Sequence, residues 1–304
     1  MKIPFVKPVV PPHVFSLLAE GVTYANVRRD QPPGIAFSQH FLYPPNTLGA
    51  GASGTPLFSA ASIAPAVEAA RRFGQGRLSR ASVVFPDSWA RILPVDFDSL
   101  PGSAEAAREM VGWKLKKLLP GVTADLEVIF TEMSPVGEQK RLLVAAAPAD
   151  TLRSIESAFD EKGVRVGSLA PASLALFEGL APMLAGRSAG DYALIHRTPG
   201  SFIFVVARGD APIFFRQRPS EAEEEGHEQE LRLSLSYYAE KLKGEGLSAL
   251  YVHDAAPGEE VPMEAFPVPG QRVSGKFFGA DPTFDERLAA RPELLPAFAA
   301  VFGR

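Results

Sequence analysis

Apolar residues along the chain fall into short runs separated by tight turns, with a few longer stretches at helical spacing. Residues 14–19 (VFSLLA) read as a buried-type strand, Glu20-Gly21 as a turn, and residues 22–29 as the returning strand. Pro32-Pro33-Gly34 turns the chain again into residues 35–43, so the chain opens on an antiparallel meander. After a Gly/Ser/Pro/Thr loop over 44–58, residues 62–73 place Ile63, Val67, Ala70 and Phe73 on one helical face. The stretch 80–171 then carries strand-like runs at 81–86 and 89–97 and a helix signal at 103–119, stopped by Pro120-Gly121. Further strand-like runs follow at 123–132 and 141–147, then a second helix signal at 149–162 ending at Gly163, and a last apolar run at 164–169. This is a ββαββα unit large enough to be a small domain. Residues 171–184 read as a helix broken at Pro182, and 185–190 as a small-residue linker. A second meander occupies 192–197, 201–208 and 211–217, with turns at Thr198-Pro199-Gly200 and Gly209-Asp210. A long helix over 221–243 has Leu231, Leu235, Tyr238 and Leu242 as its stripe and ends at Gly244. A strand over 247–253 and a Pro/Gly-rich stretch over 254–276 precede helices at 282–290 and 292–302, each starting at or near a proline.

The two meanders share one plan: three strands, a turn directly after the first, then a helix. A repeated lobe of this kind predicts a mixed α/β, two-lobed, actin-like (ribonuclease H-like) fold with the ββαββα unit inserted. The expected division is 1–79 for the first part of the first lobe, 80–169 for the insertion, and 170–185 for a helix returning to the first lobe. Residues 186–281 form the second lobe, and 282–304 supply helices packing back on the first.

Composition narrows the chemistry. The 304 residues are 46% hydrophobic and 22% charged, as in ordinary soluble proteins. A net charge of −4 gives no support for a nucleic-acid partner. There are no cysteines, which excludes disulfides, thiolate catalysis and cysteine-ligated metals. No apolar run is long enough to span a membrane, and prolines at 4, 8, 11 and 12 break the extended lead at residues 1–12 where a signal peptide needs a continuous apolar core. A cytoplasmic location is expected. Residues 49–54 match GxGxxG, but Pro44-Pro45-Asn46 before it and Pro56 after it remove the strand and helix a dinucleotide site needs, leaving a loop. His227 lacks the second histidine of a zinc helix, and His13, His40 and His253 show no ligand spacing. Lys114, Lys116 and Lys117 sit in the last turn of a helix, where capping of the carbonyl end is the expected role, ahead of contact with acidic lipid.

Residues 83–97 (VVFPDSWARILPVDF), 113–121, 141–177, 214–217 (FFRQ), 233–238 (LSLSYY) and 293–303 together resemble the type IV pilus assembly protein PilM family. The resemblance covers nearly the whole chain. It implies an actin-like protein with the inserted subdomain shared with FtsA. Such a protein is cytoplasmic and peripheral to the inner membrane, and binds the cytoplasmic tail of a PilN-like inner-membrane protein. A homo-oligomer or ring is implied, with the membrane reached only through the partner. The cytoplasmic part of the type II secretion protein GspL is the neighbouring alternative. The family's groove, between the first lobe and the insertion, takes an extended apolar peptide. Here its candidates are Phe85, Trp89, Ile92 and Leu93, with Trp113 on the helix; each is weighed first as core, and Trp113 is the one that lies off the core face of Ala107, Met110, Val111, Leu115 and Leu118.

The chain departs from that family at the nucleotide turns. The first Asp-x-Gly reads Ala19-Glu20-Gly21, the second reads His196-Arg197-Thr198, and the adenosine-side Gly-Gly turn reads His253-Asp254-Ala255-Ala256. The carboxylates that would hold Mg²⁺ through waters are displaced or missing. The expectation is a scaffold without catalysis and without cofactor, the alternative being an active or ATP/Mg-binding ATPase. His196 and Arg197 are expected to be a solvated pair rather than a phosphate clamp.

Overall fold

The computed structural model describes the chain except residues 1–9, 52–53, 75–76, 120–124, 135–138, 220–223, 257–260, 262, 264–265, 267 and 303–304, and the side chains of 104 and 224–228. Most of the proline-rich lead, the centre of the GxGxxG match, the Pro120-Gly121 stop and the His227 side chain therefore lie outside the described residues.

The chain begins with the meander β1 (His13–Leu17), β2 (Gly21–Arg28) and β3 (Gly34–Leu42), followed by a two-residue hairpin, β4 (Gly49–Ala50) and β5 (Pro56–Leu57), and by α1 (Ala60–Phe73). Next come β6 (Arg80–Phe85), a 3₁₀ turn at Asp87–Trp89, β7 (Arg91–Phe97), α2 (Ala104–Leu118), β8 (Leu126–Glu132) and β9 (Lys140–Pro148). After α3 (Ala149–Glu161), β10 (Arg165–Pro171) and α4 (Ala172–Ala185) comes the second meander, β11 (Tyr192–Thr198), β12 (Ser201–Arg208) and β13 (Ala211–Arg218). The chain closes with α5 (Glu224–Glu240), β14 (Ala249–Asp254), β15 (Gly270–Arg272), α6 (Pro282–Ala290) and α7 (Leu294–Phe302).

Two five-stranded sheets have the same plan. Their orders are β10-β6-β1-β2-β3 and β13-β12-β11-β14-β15. In each, three antiparallel strands are joined by a fourth strand parallel to the first and a fifth parallel to the fourth. This duplication is the actin-like, ribonuclease H-like arrangement expected from the paired meanders. β1 and β11 sit at the sheet centres with both faces covered, which is why they read as nearly unbroken apolar runs.

The insertion is narrower than residues 80–169. β6 and β10 pair with each other and β6 with β1, so both belong to the first lobe's sheet. The separate unit is the three-stranded sheet β7-β9-β8 with α2 on one face. Alternation divides that sheet cleanly. Val95, Val128, Leu142, Val144 and Ala146 form a small core with Val111 and Leu115 of α2. Leu143 and Ala145, on the opposite face, join the first lobe's core. Leu118, expected in the stripe of α2, is 47% exposed.

Helix α4 does not break at Pro182 but continues to Ala185. A proline this near the end removes one hydrogen bond and leaves only the last turn to disturb. Helices α4 and α7 cross so closely that a Cβ on Gly179 would stand 2.4 Å from the carbonyl oxygen of Ala299.

Candidate functional site

The parallel pairing of β11 and β14 sets His196 opposite His253 and Arg197 opposite Asp254. Sequence analysis expects a solvated His196–Arg197 pair; instead His196 is buried and Arg197 nearly so. Arg197 forms a two-point ion pair with Asp254, both contacts 2.8 Å. The same carboxylate accepts the backbone N–H groups of Ala256 and Val261, so its charge is committed to the loop after β14.

The histidines lie against a hydrogen-bonded Ser173–Asp87 pair of the first lobe. Ser173, near the start of α4, donates its backbone N–H (3.0 Å) and its hydroxyl (2.6 Å) to Asp87 Oδ1. Asp87 is fully buried in the turn after β6, and its Oδ2 lies 3.4 Å from His196 Nε2. The Nδ1 atoms of His196 and His253 are 2.8 Å apart, and His253 Nε2 faces the Pro292 carbonyl at 3.1 Å.

The Pro292 carbonyl fixes the direction of the hydrogen bond between the two histidines. A carbonyl only accepts, so His253 Nε2 carries a hydrogen and its Nδ1 accepts from His196 Nδ1–H. His196 Nε2 faces the Asp87 carboxylate but has no hydrogen-bond partner. His253 stays neutral: burial, then the neighbouring His196, push it down to about 3. Its folded value lies below that of an unfolded histidine, so the stability it contributes is full above about pH 6.5. That contribution is lost as pH falls from there toward about 3. Urea midpoints measured between pH 7 and pH 4 should fall more steeply in the native chain than in His253→Gln.

The first-lobe turn is equally unlike a phosphate cradle. Ala19 and Glu20 are exposed at its tip. Gly21 matches the expected glycine, yet its cause is cross-strand packing: a Cβ there would meet the Phe41 carbonyl oxygen at 2.3 Å. The chain before α7 closes the space between the turns. Glu293 accepts from Thr23 of β2 (2.9 Å), and Pro292 receives His253. In the second lobe's hairpin the Thr198 hydroxyl is buried without a hydrogen-bond partner, and Gly200 packs against Ser88 of the first lobe. The turns fit a Mg²⁺–nucleotide poorly: Ala19 and His196 stand where the acidic residues are expected, and Arg197 and Asp254 are paired with each other. Among the described residues no cluster of His, Asp or Glu has metal-site geometry. Asp87, Ser173, Gln217 and Pro292 escaped sequence reasoning; an Asp directly after an apolar strand was the one available signal.

The candidate groove residues are dispersed. Phe85 and Trp89 stack beneath Phe58 in the first-lobe core. Ile92 and Leu93 border a cavity of about 350 Å³ beside Gly200 and Gln217. Trp113 lies on the far side of the insertion, 61% exposed. A groove of about 660 Å³ opens instead along β8, between the insertion, α4, the end of α7 and the β12–β13 turn. Ile129, Phe177, Pro212 and Phe302 give it apolar walls, and Glu132, Glu178 and Asp210 give it an acidic rim. β8 is an edge strand of its sheet, so its outer backbone groups are available for pairing with an extended chain.

Gln217 of β13 fixes the insertion to the second lobe. Its Nε2 donates to the carbonyls of Asp87 (2.8 Å) and Ala90 (3.1 Å), and its Oε1 accepts from Ile92 N–H (2.8 Å).

No protein-family model and no curated protein sequence matches the chain. Among solved structures, a chain of the PilM–PilN type IV pilus biogenesis complex superposes with a TM-score of 0.73 at 19% identity, covering 97% of this chain and 98% of that one. The cytoplasmic domain of EpsL, an inner-membrane component of the type II secretion system of Vibrio cholerae, matches with a TM-score of 0.49 at 12% identity, over 88% and 91% of the two chains. The first of these likenesses establishes a shared fold over the full length.

Proposed function

We propose that this chain is a non-catalytic scaffold of a type IV pilus assembly or alignment complex, which holds the extended cytoplasmic tail of a PilN-like inner-membrane protein in the groove along β8. The observation that carries this reading is the groove itself. It has an unpaired strand edge, apolar walls for alternate side chains and a rim of three carboxylates. That chemistry suits an extended apolar peptide carrying a basic residue. The full-length likeness to a chain of the PilM–PilN complex supports the choice of partner. The buried polar chain across the cleft supports the absence of catalysis. In this reading the protein works in the cytoplasm at the inner membrane, and partner capture is its output. No helix among the described residues is long and apolar enough to cross a membrane.

The test is calorimetric titration with a synthetic peptide of the PilN-like protein's N-terminal tail from the same organism. Saturable binding is expected, weakened roughly tenfold by Ile129→Glu or by Asp210→Lys. Mg-ATP under the same conditions should give no saturable heat. A peptide that fails to bind, or binds Ile129→Glu equally well, removes the groove assignment. Saturable Mg-ATP heat would move the ATPase reading ahead.

A further inference from the structure

The second half of α2 bears a surface that neither the core nor the groove uses. The first half of this helix carries Glu105, Arg108 and Glu109; from Val111 onward its only charges are Lys114, Lys116 and Lys117. Around them lie Trp113 and Leu118, 61% and 47% exposed. With Phe97 and Met110 these residues line a shallow pocket of about 500 Å³ that also receives Asp98. Lys116 and Lys117 lie in the last turn of the helix, as capping expects, while Lys114 stands one turn earlier. Lys114 donates to the Asp96 carbonyl of β7 and lies over the Phe97 ring. Lys117 Nζ stands 3.6 Å from the centre of the Trp113 ring.

We propose that this face docks directly on an acidic lipid bilayer. An indole and a leucine at a helix end, ringed by lysines, match the chemistry of a bilayer surface. Apolar side chains reach the acyl boundary while ammonium groups meet lipid phosphates on extended stems. The patch is cationic on a chain of net charge −4, so the attraction is local and orients the molecule. Asp98, held by Gln139, and Glu109 on the flank are the acidic groups beside it, and they keep the binding moderate. One such patch is a weak anchor alone and effective beside a second attachment. It adds a direct contact to the membrane, where the sequence resemblance implies attachment through a partner only. It uses a different face from the groove, so either assignment stands or falls without the other.

The chain has two tryptophans, Trp89 and Trp113, so Trp89→Phe isolates the indole of the patch. Full-length Trp89→Phe protein is mixed with vesicles of phosphatidylethanolamine and phosphatidylglycerol, and in parallel with phosphatidylcholine vesicles. A blue shift of Trp113 emission and co-sedimentation are expected with the acidic vesicles at low salt, both declining as salt rises. The exposed double variant Lys116→Glu/Lys117→Glu should bind roughly tenfold more weakly or worse while melting like its parent. Absence of a blue shift with acidic vesicles, or unchanged binding by the double variant, overturns the proposal. So does a response to poly-glutamate in place of vesicles, which would assign the face to an acidic protein.

Discussion

Asp87→Ala is expected to lower the stability of this chain by about 3 kcal/mol or more, the usual cost of deleting one member of a buried charged network. The carboxylate is fully buried and receives both the backbone N–H and the hydroxyl of Ser173. Its removal leaves both Ser173 donors without their partner. At roughly 2 °C or more per kcal/mol in a chain of this size, a melt should fall by about 6 °C or more. Asp87→Asn gives a sharper contrast, because its amide oxygen can still accept from Ser173 while its N–H₂ faces the unpartnered His196 Nε2. It should therefore lie close to the native chain in stability while Asp87→Ala does not. If the two variants lose equal stability, the Ser173 hydrogen bonds are not what Asp87 contributes.

Gln217→Ala should cost about 2 kcal/mol, from three hydrogen bonds at about 1 kcal/mol each, partly offset because the side chain is only half-buried. It should also weaken capture of the partner peptide. The groove has one wall on the insertion and another on the β12–β13 turn, and Gln217 ties the start of the insertion to the strand that follows that turn. Gln217→Glu should be worse than Gln217→Ala, because it aims a carboxylate at the carbonyls of Asp87 and Ala90 in place of an N–H₂. Hydrogen exchange of the Ile92 amide is the direct readout. Faster exchange with unchanged peptide affinity would separate the clamp from the groove.

Much of the fold lay in the local pattern of the chain. The two meanders, the helices α1 to α7 and the small sheet with α2 follow from alternation, helical spacing and turn residues, all short-range signals. The loss of the acidic turn residues at Ala19 and His196 was also legible, since a side chain that is absent cannot be supplied by folding. Tertiary structure decided the rest. β6 and β10 read as part of the insertion because they adjoin it in sequence, yet parallel pairing carries them into the first lobe's sheet. Parallel partners are remote along the chain, so periodicity carries no trace of which strand adjoins which. The same remoteness hid the cleft chemistry. His196 and His253, or Arg197 and Asp254, become partners only through the β11–β14 register. Asp87 reaches His196 only when the lobes close. Trp113 was visible as a residue off its helix's core face. The lysines beside it are its neighbours in sequence, and only the tertiary structure left Leu118 exposed among them.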